Sequence, residues 1–202
     1  MSIWRGQAPL ILASRSRARQ MLLADAGLEF EAIPADIDER AVQQSAAVVG
    51  PAKIAARLAR EKASAVSMSE TAKYVVGADQ TLALAGRLFT KPAGRSEAEE
   101  QLRRLAGCVH ELHSAVAVVR GGKVLFEGSS AARMTMRQLS DAEIAVYLDE
   151  AGEAVTTSVG AYQFERLGVH LFERIEGDHF TILGLPLLLL LAFFRSEGLL
   201  AM

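Results

Sequence analysis

Gly121-Gly122 stands between two runs of strand-forming sequence, Val109 to Arg120 and Lys123 to Arg137, and constrains the fold more than any other feature of the chain. Two glycines accept the positive φ angles of a tight turn, so this segment predicts a hairpin of two long antiparallel strands. A second hairpin is expected around Ala85-Gly86. Helical patterns surround these strands. Pro9 to Ala13 reads as a short strand, and the polar turn Ser14-Arg15-Ser16-Arg17-Ala18-Arg19 leads into a helix through Leu22, Leu23 and Ala26 that stops at Gly27. Leu28 to Pro34 alternates as a strand and leads to the acidic loop Asp36-Ile-Asp-Glu39.

Gly50-Pro51 opens a helix to about Met68, with proline at its tolerated first position and an apolar face of Ala55, Leu58, Ala59 and Val66. Tyr74 to Ala78 forms an apolar strand that ends at Asp79. Ser96 to Glu99 and Ser140 to Glu143 have the spacing of capping boxes, opening helices that reach Gly107 and about Glu150, with Gly152 ending the second. Val169 to Ile175 reads as a strand, and Pro186 sits near the start of the last helix. Helices mixed with antiparallel hairpins give an α/β or α+β fold without internal repeats.

A chain of 202 residues, half of them hydrophobic, can bury one large core, so residues 1–202 are expected to form a single domain. A net charge of -2 with a pI near 6.1 leaves no electrostatic surplus for nucleic-acid backbones, and no nucleic-acid partner is expected. The single Cys108 has no second cysteine for an internal disulfide or a shared metal, which suits a reducing compartment or a buried apolar position. The start of the chain lacks the pattern of a secretory signal, so cytoplasmic residence is expected. The apolar stretch Leu185 to Phe194 falls well short of the roughly 20 residues that span a bilayer, and reads as a buried terminal helix.

Several residues invite chemistry. The turn from Ser14 to Arg19 sets two hydroxyls and three guanidiniums where a strand hands over to a helix, a position whose free N–H groups and dipole favour anions. The same serines could equally cap the helix while the arginines are solvated. Lys62 falls in the middle of the apolar helix face, so either its ammonium meets an anionic partner or its stem snorkels past the rim of the core. Asp79 follows an apolar strand, where α/β sheets tend to place ligands, although an aspartate there also caps turns. Asp36, Asp38 and Glu39 offer oxygen ligands of the type Mg²⁺ prefers, or a solvated acidic loop. Tyr162 fits either base stacking or core packing. No phosphate-binding Gly-rich loop, dinucleotide fingerprint or His-Glu-x-x-His zinc motif is present, and the four histidines have no metal-binding spacing.

Taken together, Leu10-Ile-Leu-Ala-Ser-Arg-Ser-Arg-Ala-Arg19, Asp36-Ile-Asp-Glu39, Leu58-Ala-Arg-Glu-Lys62, Val76-Gly-Ala-Asp79, Lys91-Pro92, Gly160-Ala-Tyr162 and Gly184-Leu-Pro186 resemble the Maf family in order and spacing. The resemblance implies a two-lobed α/β fold, with a central mixed sheet flanked by helices like that of inosine triphosphate pyrophosphatases, and a homodimer. It also implies hydrolysis of a nucleoside triphosphate to monophosphate and pyrophosphate with a divalent metal cation, Mg²⁺ or Mn²⁺. A nucleotide-binding regulator of septum formation with little turnover is the alternative that such a family allows.

By position, the resemblance gives Ser14, Arg19, Lys62 and Lys91 the triphosphate, Glu39 and Asp79 the metal, and Asp79 the proton of the attacking water. The chain departs from the usual Ser-x-Ser-Pro-Arg-Arg opening, with Arg17 at the proline and Ala18 at a position where a large or basic side chain is common. Gln80 and Glu165 look like the subgroup acting on 7-methyl-GTP, and a carboxylate suits both a cationic methylated guanine and the donors of its ring edge. Ala18, Gln80 and Glu165 are therefore the expected base-side contacts.

Overall fold

The computed structural model describes residues 3–44 and 50–202. Its seven strands are β1 (Leu10–Leu12), β2 (Phe30–Ala32), β3 (Val75–Leu84), β4 (Arg87–Phe89), β5 (Val109–Arg120), β6 (Lys123–Met136) and β7 (Phe172–Glu176). The helices are α1 (Arg17–Asp25), α2 (Glu39–Gln44), α3 (Pro51–Ser67), α4 (Arg95–Leu105), α5 (Asp141–Ala151), α6 (His179–Ile182) and α7 (Leu187–Ser196). Short 3₁₀ turns at Gly152–Thr156, Val159–Ala161 and Leu167–Leu171 connect α5 to β7.

One mixed sheet runs β2-β1-β3-β5-β6-β7, with β4 paired to β3. The β2–β1–β3 part is parallel and everything from β3 to β7 is antiparallel. The Gly121-Gly122 hairpin forms as the sequence predicts, and Ala85-Gly86 turns β3 into β4 with positive φ at both residues. Along one edge of β3, β1 pairs only with Val75 and Val76, while β4 pairs only with Leu82 to Leu84. Between them, Gly77 to Thr81 have no strand partner on that side among the described residues.

The alternation of β3 and β5 sorts their side chains into two layers. Val76, Ala78, Val116 and Val118 join Leu22 and Leu23 of α1 and Leu187, Leu190 and Phe194 of α7 in one core. Val75, Ala115, Ala117 and Val119 face Ala55, Ala59, Ala63 and Val66 of α3 on the other side. Beyond the gap, Leu82, Leu112, Met134, Leu102 and Leu148 build a further core under α4 and α5. The chain thus has two lobes strung on β3, β5 and β6.

Some boundaries differ from the sequence reading. Strand β3 does not end at Asp79: it continues to Leu84, because Gln80 and Thr81 find tertiary hydrogen bonds inside the fold. The box at Ser96 to Glu99 does not form. Helix α4 starts after extended Gly94, and Glu97 accepts the Ala93 backbone N–H instead. The box at Ser140 and Glu143 does form. The acidic loop becomes α2 from Glu39 onward, with Asp38 accepting from the Ala41 N–H. Val169 to Leu171 close a 3₁₀ turn before β7 begins at Phe172. Cys108 is only half-buried. Among the described residues no helix is long and apolar enough to cross a membrane, and α7 packs into a core along one side.

Candidate active site

Two clusters of charged and polar groups meet at the unpaired stretch of β3. The first arises from the contact of α3 with the strand. Gly77 lets the helix come so close that a Cβ there would overlap the Ala59 carbonyl oxygen. This approach brings Lys62, one residue before Ala63, over Asp79. Lys62 Nζ donates to Asp79 Oδ1 at 2.6 Å and lies 2.8 Å from Glu39 Oε1. The Lys62 and Asp79 side chains are 12% and 10% exposed, whereas that of Glu39 is 51% exposed. The core-facing ammonium has therefore found two carboxylates, one from the sheet and one from the first turn of α2. Burial pushes the Asp79 carboxyl above its ordinary range, against the opposing pull of Lys62 and Arg19.

The second cluster lies at the start of α1. Ser16 caps the helix by accepting the Arg19 N–H, and Ser14 Oγ accepts from the Ser16 N–H. Arg19 is 9% exposed. Its Nε donates to the Gly184 carbonyl at 2.8 Å, and its Nη1 donates to Ser14 Oγ at 3.2 Å and the Ala78 carbonyl at 2.7 Å. Among the described residues Nη2 makes no hydrogen bond. Burial lowers the affinity of Arg19 for its proton, and the charges of Asp79 and Glu39 oppose this. The guanidinium stays charged. Arg19 is thus a buried cation whose hydrogen-bond acceptors are all neutral oxygens.

The other expected residues are more dispersed. Lys91 is exposed in the segment after β4, whose ends are held by Gln101 Nε2 on the Thr90 carbonyl and Glu97 on the Ala93 N–H. Ala18 is half-buried against the α1 core and Glu165 is exposed. Gln80 points to the face opposite Asp79, where its Nε2 donates to Ser114 Oγ and to the Thr181 and Ile182 carbonyls. Tyr162 is core: its hydroxyl and His110 Nε2 share a 2.8 Å hydrogen bond, and burial raises its pKa. Ser114 was not anticipated from sequence, although a fully buried hydroxyl inside the apolar run Leu112 to Val119 is a detectable signal.

Among the described residues no three His, Cys, Asp or Glu side chains converge as a metal cage. Two carboxylates do converge, on the ammonium of Lys62. This donor set fits a Mg²⁺-type ion that takes one or two carboxylates and completes its shell from substrate phosphates and water.

A protein from Bradyrhizobium diazoefficiens named nucleoside triphosphate pyrophosphatase is 67% identical over 201 residues, covering 100% of both chains. A 7-methyl-GTP pyrophosphatase from Rhizobium etli is 50% identical over 191 residues, covering 94% of this chain and 96% of its own. A HAM1 protein structure from Coxiella burnetii aligns at 14% identity with a TM-score of 0.42, covering 64% of this chain and 73% of that one. The family model described as Maf-like protein matches residues 9–197. With the described charged residues gathered around β3 and that match spanning nearly its whole length, the chain belongs to the Maf-like protein family.

Proposed function

We propose that this chain is a nucleoside triphosphate pyrophosphatase, hydrolysing the α–β phosphoanhydride to a nucleoside monophosphate and pyrophosphate in the gap beside β3. The observation that carries the proposal is Lys62 Nζ, held between Asp79 and Glu39 at 2.6 and 2.8 Å, across the strand from buried Arg19. The full-length relatives named for this activity supply the reaction class.

Each group has a part in this reading. The free Nη2 of Arg19, the hydroxyl of Ser14 and the N-terminal turn of α1 bind phosphate oxygens. Asp79 takes the proton from the water that attacks phosphorus, and the burial that raises its pKa makes it a stronger base than an exposed aspartate. Lys62, and Lys91 from the other lobe, offset charge that builds on the leaving pyrophosphate. Asp79 and Glu39 would hold a divalent cation, Mg²⁺ or Mn²⁺, which when bound supplies charge neutralisation of the phosphates and a more acidic water. Lys62 then has to exchange a carboxylate for a phosphate as substrate enters.

The finer reading takes 7-methyl-GTP as the preferred nucleotide. The Rhizobium etli relative carries that name, and Glu165 is an exposed carboxylate suited to a cationic base. We also place the protein in the cytoplasm as a homodimer, the latter to be read by light scattering.

The test is a nucleotide panel with Mg²⁺ or Mn²⁺ that resolves pyrophosphate from orthophosphate, run on the wild type and Asp79→Asn. Pyrophosphate release that disappears in the variant is expected. Orthophosphate release, or binding without turnover, overturns the proposal. Faster turnover of uridine or thymidine triphosphate overturns only the base preference.

A further inference from the structure

Helix α4 buries Ala98, Gln101, Leu102 and Leu105, so Gln101 is the polar member of an otherwise apolar face. The residue is 5% exposed. Its Nε2 donates to the Thr90 carbonyl at 2.9 Å and reaches Glu97 Oε1 at 3.5 Å, while its Oε1 is buried and accepts no hydrogen bond among the described residues. A buried acceptor without a partner destabilises a fold, and leucine or methionine would fill the same space without that cost. Packing of α4 therefore does not explain an amide at this position.

What the amide holds is the approach to Lys91. Phe89, the last residue of β4, pairs with Leu82, where the unpaired stretch of β3 ends, so the chain carries Lys91 away from β4 at the rim of the window that contains Asp79. The Thr90 carbonyl and the Lys91 N–H belong to one rigid peptide plane, and Gln101 grips that plane. Among the described residues no other hydrogen bond reaches the backbone of Thr90, Lys91 or Pro92. Strand β4 has already ended at Phe89, and α4 does not begin until Arg95. On the far side of Lys91, buried Pro92 biases the lysine towards extended backbone, which leaves the preceding plane as the rotation still to be fixed. The same side of α4 holds the flanks of the segment. Arg104 lies over the Phe89 ring at 4.7 Å from its centroid, and Glu97 Oε2 accepts the Ala93 N–H at 2.8 Å.

We propose that Gln101 is a positioning residue for Lys91, fixing the peptide from which the lysine reaches towards the gap beside β3. The inference rests on the role given to Lys91 in the proposed function, and it concerns turnover rather than the choice of base. Without the amide, the Thr90–Lys91 peptide is free to rotate and the ammonium leaves its place for part of the time.

The test measures pyrophosphate release with Mg²⁺ across nucleotide concentrations in wild type, Gln101→Met, Lys91→Ala and the double variant, together with thermal unfolding of each. Lys91→Ala should lower kcat about 100-fold, the scale of one lost donor to transition-state charge. Gln101→Met should lower kcat about ten-fold and leave KM within about two-fold of wild type, as expected when a group that acts on the transition state is partly misplaced. Its melting temperature should equal or exceed that of wild type, because the orphaned Oε1 is gone and exposed Thr90 can turn its carbonyl to water. In the Lys91→Ala background the methionine should have no further effect on kcat. Gln101→Leu repeats the deletion with a different shape should methionine not pack. Wild-type kcat in Gln101→Met, or a further loss in the double variant of the kind a packing residue would give, overturns the inference. Wild-type kcat in Lys91→Ala instead removes that lysine from the reaction, so its part in the proposed function fails and the inference falls with it.

Discussion

Replacing Gly77 with alanine would drive a methyl group into the backbone of α3. Besides overlapping the Ala59 carbonyl oxygen, a Cβ at this position comes within 2.7 Å of the Ala63 nitrogen and 2.9 Å of its Cβ. These atoms belong to the helix itself, so no flexible side chain can swing aside, and α3 must retreat by about 1 Å to recover normal contact distances. Overpacking of this kind costs about 1–3 kcal/mol. Lys62 adjoins Ala63 and moves with the helix, stretching its contacts to Asp79 and Glu39 past hydrogen-bonding range. Misplacement by about 1 Å can reduce turnover about 100-fold. Urea unfolding gives the first quantity and pyrophosphate release at saturating nucleotide gives the second. Gly94→Ala is the control, because its backbone is extended with φ -173° and nothing lies within 4 Å of the added methyl group. The control should stay within about 0.5 kcal/mol of wild type. A Gly77→Ala protein with wild-type stability and turnover would refute the view that this helix–strand approach sets the position of Lys62.

Lys62→Met should cost about 3 kcal/mol of stability at neutral pH by leaving buried Asp79 without its ion-pair partner, and the deficit should shrink in acid as Asp79 takes up a proton; denaturant melts across pH read this. Because burial raises the Asp79 pKa, the acid limb of the kcat/KM profile should lie above the ordinary carboxylate range, with activity lost as pH falls through it. His110 is fully buried beside Tyr162, and burial lowers its pKa from 6.5 to about 4. The unfolded chain therefore binds a proton that the folded chain refuses. Stability is full above pH 6.5 and should fall by about 3 kcal/mol towards pH 4, taking 6.5 minus 4 at about 1.4 kcal/mol per unit. Unfolding of His110→Gln should lose most of that slope; an unchanged slope would assign it to other groups.

Where local chemistry dictates the backbone, the sequence already announces the structure. The paired positive-φ positions of the two hairpins, the box at Ser140 and Glu143, and the amphipathic period of α3 are local signals, and all three appear as expected. Lys62 was legible for the same reason, since a cation on an apolar helix face has few ways to be satisfied. The extension of β3 was not legible. Polar Gln80 and Thr81 read as a strand end unless their partners are known, and those partners lie at Ser114, Thr181 and the Pro51 carbonyl, far away in sequence. The start of α4 shifted because an extended glycine served as its N-cap and left Ser96 inside the helix. Lys91 and Glu165 are exposed, as charged side chains usually are, so their exposure carries no signal of a site.

The unpaired stretch of β3 has a further consequence for how this protein behaves in a crowded solution. Exposed sheet edges recruit other chains as extra strands, and folds usually blunt them with charges, bulges or covering loops. Besides its outer strands β2 and β7, this sheet has an internal window of roughly 17 Å, five residues at about 3.4 Å each, closed at one end by β1 and at the other by β4. The Ala78 carbonyl within it is already occupied by Arg19. A stray strand would find little ladder to join and a buried cation in its path. The interruption proposed to admit a small anionic molecule is thus itself guarded against strand addition.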